Sequence, residues 1–140
     1  MATFFKFEQF VEDLSKGVHQ LHAAGHTLKA YLSNAAPSAS GDAIKTDLAE
    51  ITNENGYTAP VDIQNDLSES GGIATLTAVD VTITASGGTV GPFRYAVIYN
   101  DTPTSPLDPL VGCWDYGSSI TLQDGESFVI DFGASVATLQ

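Results

Sequence analysis

Apolar and polar positions alternate with more than one period along this chain, and each period predicts a different element. Over residues 4–16, Phe7, Phe10, Val11 and Leu14 fall on one helical stripe, with Glu8, Glu12, Asp13 and Lys16 off it. That spacing predicts a short amphipathic helix. Thr3 stands where a cap belongs and Gly17 where a helix commonly stops. Residues 27–33 alternate instead, Leu28, Ala30 and Leu32 against Lys29 and Tyr31, the pattern of a half-buried strand. From Phe93 to Tyr99 both alternating faces are apolar: Phe93, Tyr95, Val97 and Tyr99 on one, Ala96 and Ile98 on the other. A strand apolar on both faces is covered on both sides, so this stretch is the expected centre of the fold.

The remaining segments supply its neighbours. A Pro-, Gly- and Ser-rich loop follows at 34–42, residues 43–51 suit a short helical turn, and Asn55-Gly56 is a favoured hairpin pair. Residues 60–63 suit a short edge strand and 73–76 a further strand, while Val79, Val81, Ile83 and Ala85 alternate inward along the next. Residues 101–109 hold three of the six prolines and form a stiff excursion. Strands are then expected at 110–116, 119–122, 127–132 and 136–139, with 119–122 and 127–132 forming a hairpin across 123–126. Together these predict a mainly β protein: a jelly-roll-like antiparallel β-sandwich over 27–140, preceded by an N-terminal helical arm and linker over 1–26.

Composition narrows what such a sandwich does. Five Lys and Arg face 17 Asp and Glu, a formal net charge of −12. A chain with no basic stripe is a poor partner for nucleic acid or for anionic membrane surfaces. Hydrophobic residues make up 43% of the chain, enough to build a core despite that charge. The single cysteine, Cys113, excludes an intrachain disulfide, and Glu8 and Glu12 interrupt any leader-like apolar run at the start. Cytoplasmic synthesis is expected.

No motif carries catalysis. The three histidines, His19, His22 and His26, lie in one eight-residue stretch, so a Ser-His-acid triad has little to draw on. Helical spacing would set the three imidazoles on one side, as metal ligands require, but Gly25 interrupts the helix and no Cys or acid is interleaved. They read as polar linker residues. Cys113 beside Trp114 reads as a buried, inert thiol. No phosphate loop or calcium loop is present. No enzyme, metal or cofactor is expected. Tyr31, Tyr57, Tyr95, Tyr99, Trp114 and Tyr116 fall on or beside strands, where they serve equally as core plugs or as contact residues.

Several segments resemble virion proteins of tailed double-stranded DNA bacteriophages. They are Ala85-Ser86-Gly87-Gly88, the run from Gly91-Pro92-Phe93-Arg94-Tyr95 to Asn100-Asp101, Trp114-Asp115-Tyr116-Gly117-Ser118-Ser119, and Phe7-Glu8-Gln9-Phe10-Val11-Glu12-Asp13-Leu14. The pair Leu28-Lys29 before Asn34-Ala35-Ala36-Pro37 belongs with them. Among these virion proteins the chain looks most like a capsid decoration, or cement, protein of a short-tailed phage with a jelly-roll fold. The resemblance implies a structural protein of the outer capsid surface, assembled in the bacterial cytoplasm. It would clamp adjacent major capsid protein subunits and self-associate as a dimer or trimer at symmetry axes. It implies no active site. On this reading the N-terminal Phe4, Phe5, Phe7 and Phe10 and the loop residues Pro103, Pro106 and Pro109 are the candidate contacts. The alternatives are a tail or baseplate component with a receptor-binding surface, and a glycan hydrolase using paired carboxylates.

Overall fold

In the computed structural model, which describes residues 2–140, ten strands and one short helix build an antiparallel β-sandwich. The strands are β1 (Thr3–Lys6), β2 (Leu28–Ser33), β3 (Val61–Asp62), β4 (Asp66–Ser70), β5 (Ile73–Thr77), β6 (Val81–Thr84), β7 (Val90–Asn100), β8 (Leu110–Leu122), β9 (Ser127–Ile130) and β10 (Ala137–Leu139). The helix, α1, spans Glu8–Ser15. One five-stranded sheet runs β1-β8-β7-β2-β3. A three-stranded sheet, β10-β5-β4, and a strand pair, β6-β9, lie across one of its faces. The mainly β sandwich with one short helix is as the periodicities predict.

β7 is the strand covered on both sides. Ala96 and Ile98 enter the core between the sheets, with Leu28, Ala30, Leu32, Leu76, Ile83 and Ile130. Tyr95, Val97 and Tyr99 point the other way, into a second apolar cluster with Phe7, Tyr31, Leu48 and Cys113. That second face is sealed by the chain between β2 and β3, which packs Leu48 and Ala59 onto it. Tyr31 is therefore buried, and β2 is covered on both faces where alternation predicted a half-buried strand. Phe93 departs from its expected face and joins the between-sheet core. The cause is an irregularity in the ladder: Phe93 pairs with Ile120 but Tyr95 with Asp115, so the phase of the pleat is broken at Arg94.

The N-terminal segment differs from the helix expected over 4–16. Thr3–Lys6 is a strand, paired with the edge of β8 in the register Phe4↔Trp114 and Phe5↔Cys113. Two adjacent phenylalanines that bury on opposite sides require extended backbone, because a strand separates neighbours and a helix does not. Phe4 lies on Trp114 with ring centroids 4.7 Å apart, and Phe5 lies against Phe7 at 5.5 Å. Phe7 is still extended, so α1 starts at Glu8 without the Thr3 cap. It ends where expected, with Gly17 at φ 79° just beyond the Lys16 C-cap. Residues 3–6 of the expected arm thus belong to the main sheet.

Two expected hairpins do not form, and one of them is instead a crossing between layers. The stretch 119–122 is the second half of β8 and pairs with β7, through Val90↔Leu122 and Phe93↔Ile120. β9, on the far side of the turn at 123–126, pairs with β6, in the register Ile83↔Phe128. Asn55-Gly56 makes a tight turn that joins no strand pair; Tyr57 N–H reaches Glu54 O at 2.9 Å. Of the helical turn expected over 43–51, a single 3-10 turn at Lys45–Asp47 forms. β4 was not anticipated, since Asp66, Ser68, Glu69 and Ser70 show no apolar alternation.

Candidate contact surface

Where the candidate residues lie decides which of them can touch a partner. Phe7 is 0% and Phe10 3% exposed, so both are core residues. Phe4 and Phe5 are half-buried at the sheet edge. In the proline loop Pro109 is buried, its carbonyl accepting the Asn100 N–H at 2.9 Å, and Pro103 and Pro106 are half-buried. The loop turns on itself through a Thr104↔Leu107 bridge, which leaves Leu107 as its most exposed apolar side chain, at 55%. The prolines shape the loop and Leu107 is what it presents. Sequence reasoning missed it because a lone leucine between prolines has no periodicity to reveal its direction.

The aromatic residues divide in the same way. Tyr31, Tyr57, Tyr95 and Tyr99 are buried. Tyr31 Oη donates to Leu48 O at 2.8 Å, Tyr99 Oη donates to Asp101 Oδ1 at 3.2 Å, and Tyr57 Oη accepts the Leu32 N–H at 2.8 Å. Burial raises the phenols of Tyr31, Tyr57 and Tyr99 well above the usual tyrosine range. Lys45 Nζ sits 4.8 Å from the Tyr31 ring centroid, a cation on an aromatic face at the rim of this cluster. Trp114 and Tyr116 remain half-exposed. With Val129, Asp131 and Gly133 they border a shallow hollow beside β9.

The opening with the most apolar lining lies between the two layers, where β1 and α1 face β10 and β5. It encloses about 320 Å³ and is lined by Phe4, Phe10, Leu21, Leu76, Val136 and Leu139, with Lys6 at its rim. A second hollow continues it along α1, past Val11 and Leu14 to Gln140. Val11 is 48% exposed there. The groove lies between two sheet edges, because β1 ends the five-stranded sheet and β10 ends the three-stranded one. Gly112 keeps Phe4 in place: a Cβ at that position would come within 2.6 Å of the Phe4 ring.

The linker histidines hold a different arrangement. Asn100 Nδ2 donates to His19 Nδ1 and to His26 Nδ1, each at 3.0 Å. His26 Nδ1 also accepts the Gln20 N–H at 3.3 Å. Asn65 completes the attachment, donating to Leu21 O and His26 O and accepting the Leu28 N–H. The segment between α1 and β2 is thereby fixed to the ends of the strands by two buried asparagines. His19 is 6% exposed and packs on Phe10; burial, only partly opposed by the charge of Asp13, lowers its imidazole to about 4. His22 is exposed and takes no part.

Burial pushes the Cys113 thiol up to about 12, which leaves it un-ionised in neutral solution. Among the described residues no three or more His, Cys, Asp or Glu side chains are grouped to hold a metal ion. No helix among them is long and apolar enough to cross a membrane. Comparison with known proteins returned no match: no protein-family model, no curated sequence and no solved structure aligns significantly with the chain.

Proposed function

We propose that the chain is a structural virion protein that binds the outer surface of a phage head and clamps adjacent major capsid protein subunits. The observation that carries an assembly role is the apolar groove between the free edges of β1 and β10. A groove bordered by unpaired strand edges suits attachment to another chain. The phage head as the site of assembly rests on the resemblance of segments 7–14, 85–101 and 114–119. Modest contacts of this kind become strong when repeated over many copies, so no reaction is needed.

The test is the location and copy number of the chain in purified particles, read by quantitative mass spectrometry of separated heads and tails. Copies on the order of hundreds, confined to heads, are the expected result for a protein at capsid symmetry axes. Confinement to tails in a few copies overturns it. That second outcome is the tail or receptor-binding reading, which the half-exposed Trp114 and Tyr116 beside Asp131 favour, since an aromatic face next to a carboxylate is a surface suited to a sugar ring. Removing residues 1–16 is not a clean test of attachment, because Phe7 and Phe10 belong to the core. Val11→Ser on the exposed side of α1 is, and lowered capsid occupancy by a folded variant is expected.

A further inference from the structure

We infer that the groove between β1 and β10 takes an extended segment of another protein, one that pairs with the β1 edge, sets a large apolar side chain between the layers and brings a carboxylate to Lys6. The inference rests on reading this groove as an assembly surface, but not on the assembly being a phage head.

Three features of the molecule converge on that occupant. The first is the phase of β1. Phe7 N–H bonds to Val111 O at 3.1 Å, so in the antiparallel ladder Phe5 and Thr3 turn their backbone groups toward β8. The backbone groups of Phe4 and Lys6 therefore face away from β8, where the sheet has no further strand. An edge of this kind is a template for one more strand.

The second feature lies behind that edge. Phe4 and Lys6 stand on the same side of β1, the side that borders the 320 Å³ opening lined by Phe10, Leu76 and Leu139. A strand added to β1 would turn alternate side chains into this space, and the lining is apolar enough to hold a leucine- or phenylalanine-sized group.

The third is charge. Four of the five cations are matched within the chain: Lys16 with Glu12, Lys29 with Asp101 at 2.9 Å, Lys45 with Glu50 at 3.5 Å and Arg94 with Asp115 at 2.8 Å. Among the described residues Lys6 has no such partner, although the chain carries 17 acids, and no acid lines the groove. A carboxylate on the occupant would give this exposed lysine a partner that the groove itself does not supply. In a second copy the edges that border the groove offer no carboxylate, since β1 reads Thr3-Phe4-Phe5-Lys6 and β10 reads Ala137-Thr138-Leu139. The acids at the far edges, Asp66 and Glu69 on β4 and Asp62 on β3, belong to a strongly acidic surface. Two chains of net charge −12 also repel each other.

The test uses the intact chain and eight-residue capped peptides in which Leu alternates with Thr, with one Leu replaced by Glu, Gln or Lys, so that the replaced side chain shares the leucines' face as Lys6 shares that of Phe4. Binding is read from Trp114 fluorescence, because Trp114 packs on Phe4 at the groove, and from backbone amide hydrogen exchange. The Glu peptide should bind about fivefold more tightly than the Lys peptide, the range of a partly exposed ion pair. It should also slow exchange at Phe4 and Lys6. Lys6→Glu should reverse the order of the Glu and Lys peptides, and Lys6→Gln should level it. Failure of all three peptides to bind, equal affinity for the Glu and Lys peptides, or protection at amides away from β1 would each overturn the inference. So would protection of Phe4 and Lys6 by self-association of the free chain. Finding the chain in phage tails would overturn the function proposed above and leave this binding intact.

Discussion

The two faces of the main sheet carry similar apolar surface and finish it differently. On one, the chain between β2 and β3 folds back over Tyr31, Tyr95, Val97 and Tyr99. It also brings the polar atoms those rings need: the Leu48 carbonyl receives the Tyr31 hydroxyl, and the Ala49 carbonyl receives Ser33 Oγ at 2.5 Å. On the other, the second layer covers the centre but leaves the side between β1 and β10 open, with Leu139 and Phe4 only half-buried. A closed face with the hydroxyls of Tyr31, Ser33 and Tyr99 hydrogen-bonded stabilises the monomer. An open apolar groove adds little to the monomer and keeps area available for a second chain.

That contrast predicts a graded set of outcomes. The largest is at the closed face: Tyr31→Ala should cost about 3–5 kcal/mol, as other large-to-small core changes do, measured as a lowered urea midpoint. Next comes the clamp that ties the segment between α1 and β2 to the strand ends through His19 and Asn100. The His19 imidazole titrates near 4 in the fold and near 6.5 in the unfolded chain, so the unfolded chain takes up its proton first. Its contribution is whole above the unfolded value and is lost as pH falls from about 6.5 to about 4, a decline of about 3 kcal/mol. Stability curves of the protein and of His19→Gln across that window should therefore differ in slope, and parallel curves would count against the clamp. Tyr57→Phe should cost about 1–3 kcal/mol, because it leaves the buried Leu32 N–H without its acceptor. The smallest effect belongs to the groove: Val11→Ser should change the urea midpoint by no more than about 0.5 kcal/mol. A groove change as costly as Tyr31→Ala would mean that the two faces do not differ as described.

The legible parts of the fold were those set by local pattern. β7, with apolar side chains in both directions from Tyr95 to Tyr99, could be read as a doubly covered strand, and it is one. The stop of α1 at Gly17 was equally plain. What could not be read was set by distant partners. Phe93 changes faces because the ladder to β8 is irregular between Asp115 and Ile120, around Gly117 at φ 88°. β1 is a strand because the edge of β8 is there to receive it, which no feature of Thr3-Phe4-Phe5-Lys6 states. For the contact surface, Phe4 and Phe5 were found at a sheet edge, while Phe7, Phe10 and Pro109 are buried. Asn65 and Asn100 escaped notice because a buried asparagine looks like any turn residue until its partners are in place.

The crossings between layers also set the order in which the molecule can form. Thr3 waits for Asp115, Leu28 for Asn100 and Val81 for Ile130, so each layer is held by residues synthesised far apart. Closing such long loops precedes any reward from pairing, which makes folding slow for a chain of this length. On the ribosome β1 leaves the tunnel early and has no partner until β8 follows it. During that interval Phe4 and Phe5 are exposed on an unpaired strand, and the surplus of acidic residues keeps neighbouring nascent chains apart. The groove needs both β10 on β5 and β1 on β8, so a molecule with only one of these pairs formed presents no finished surface to a partner.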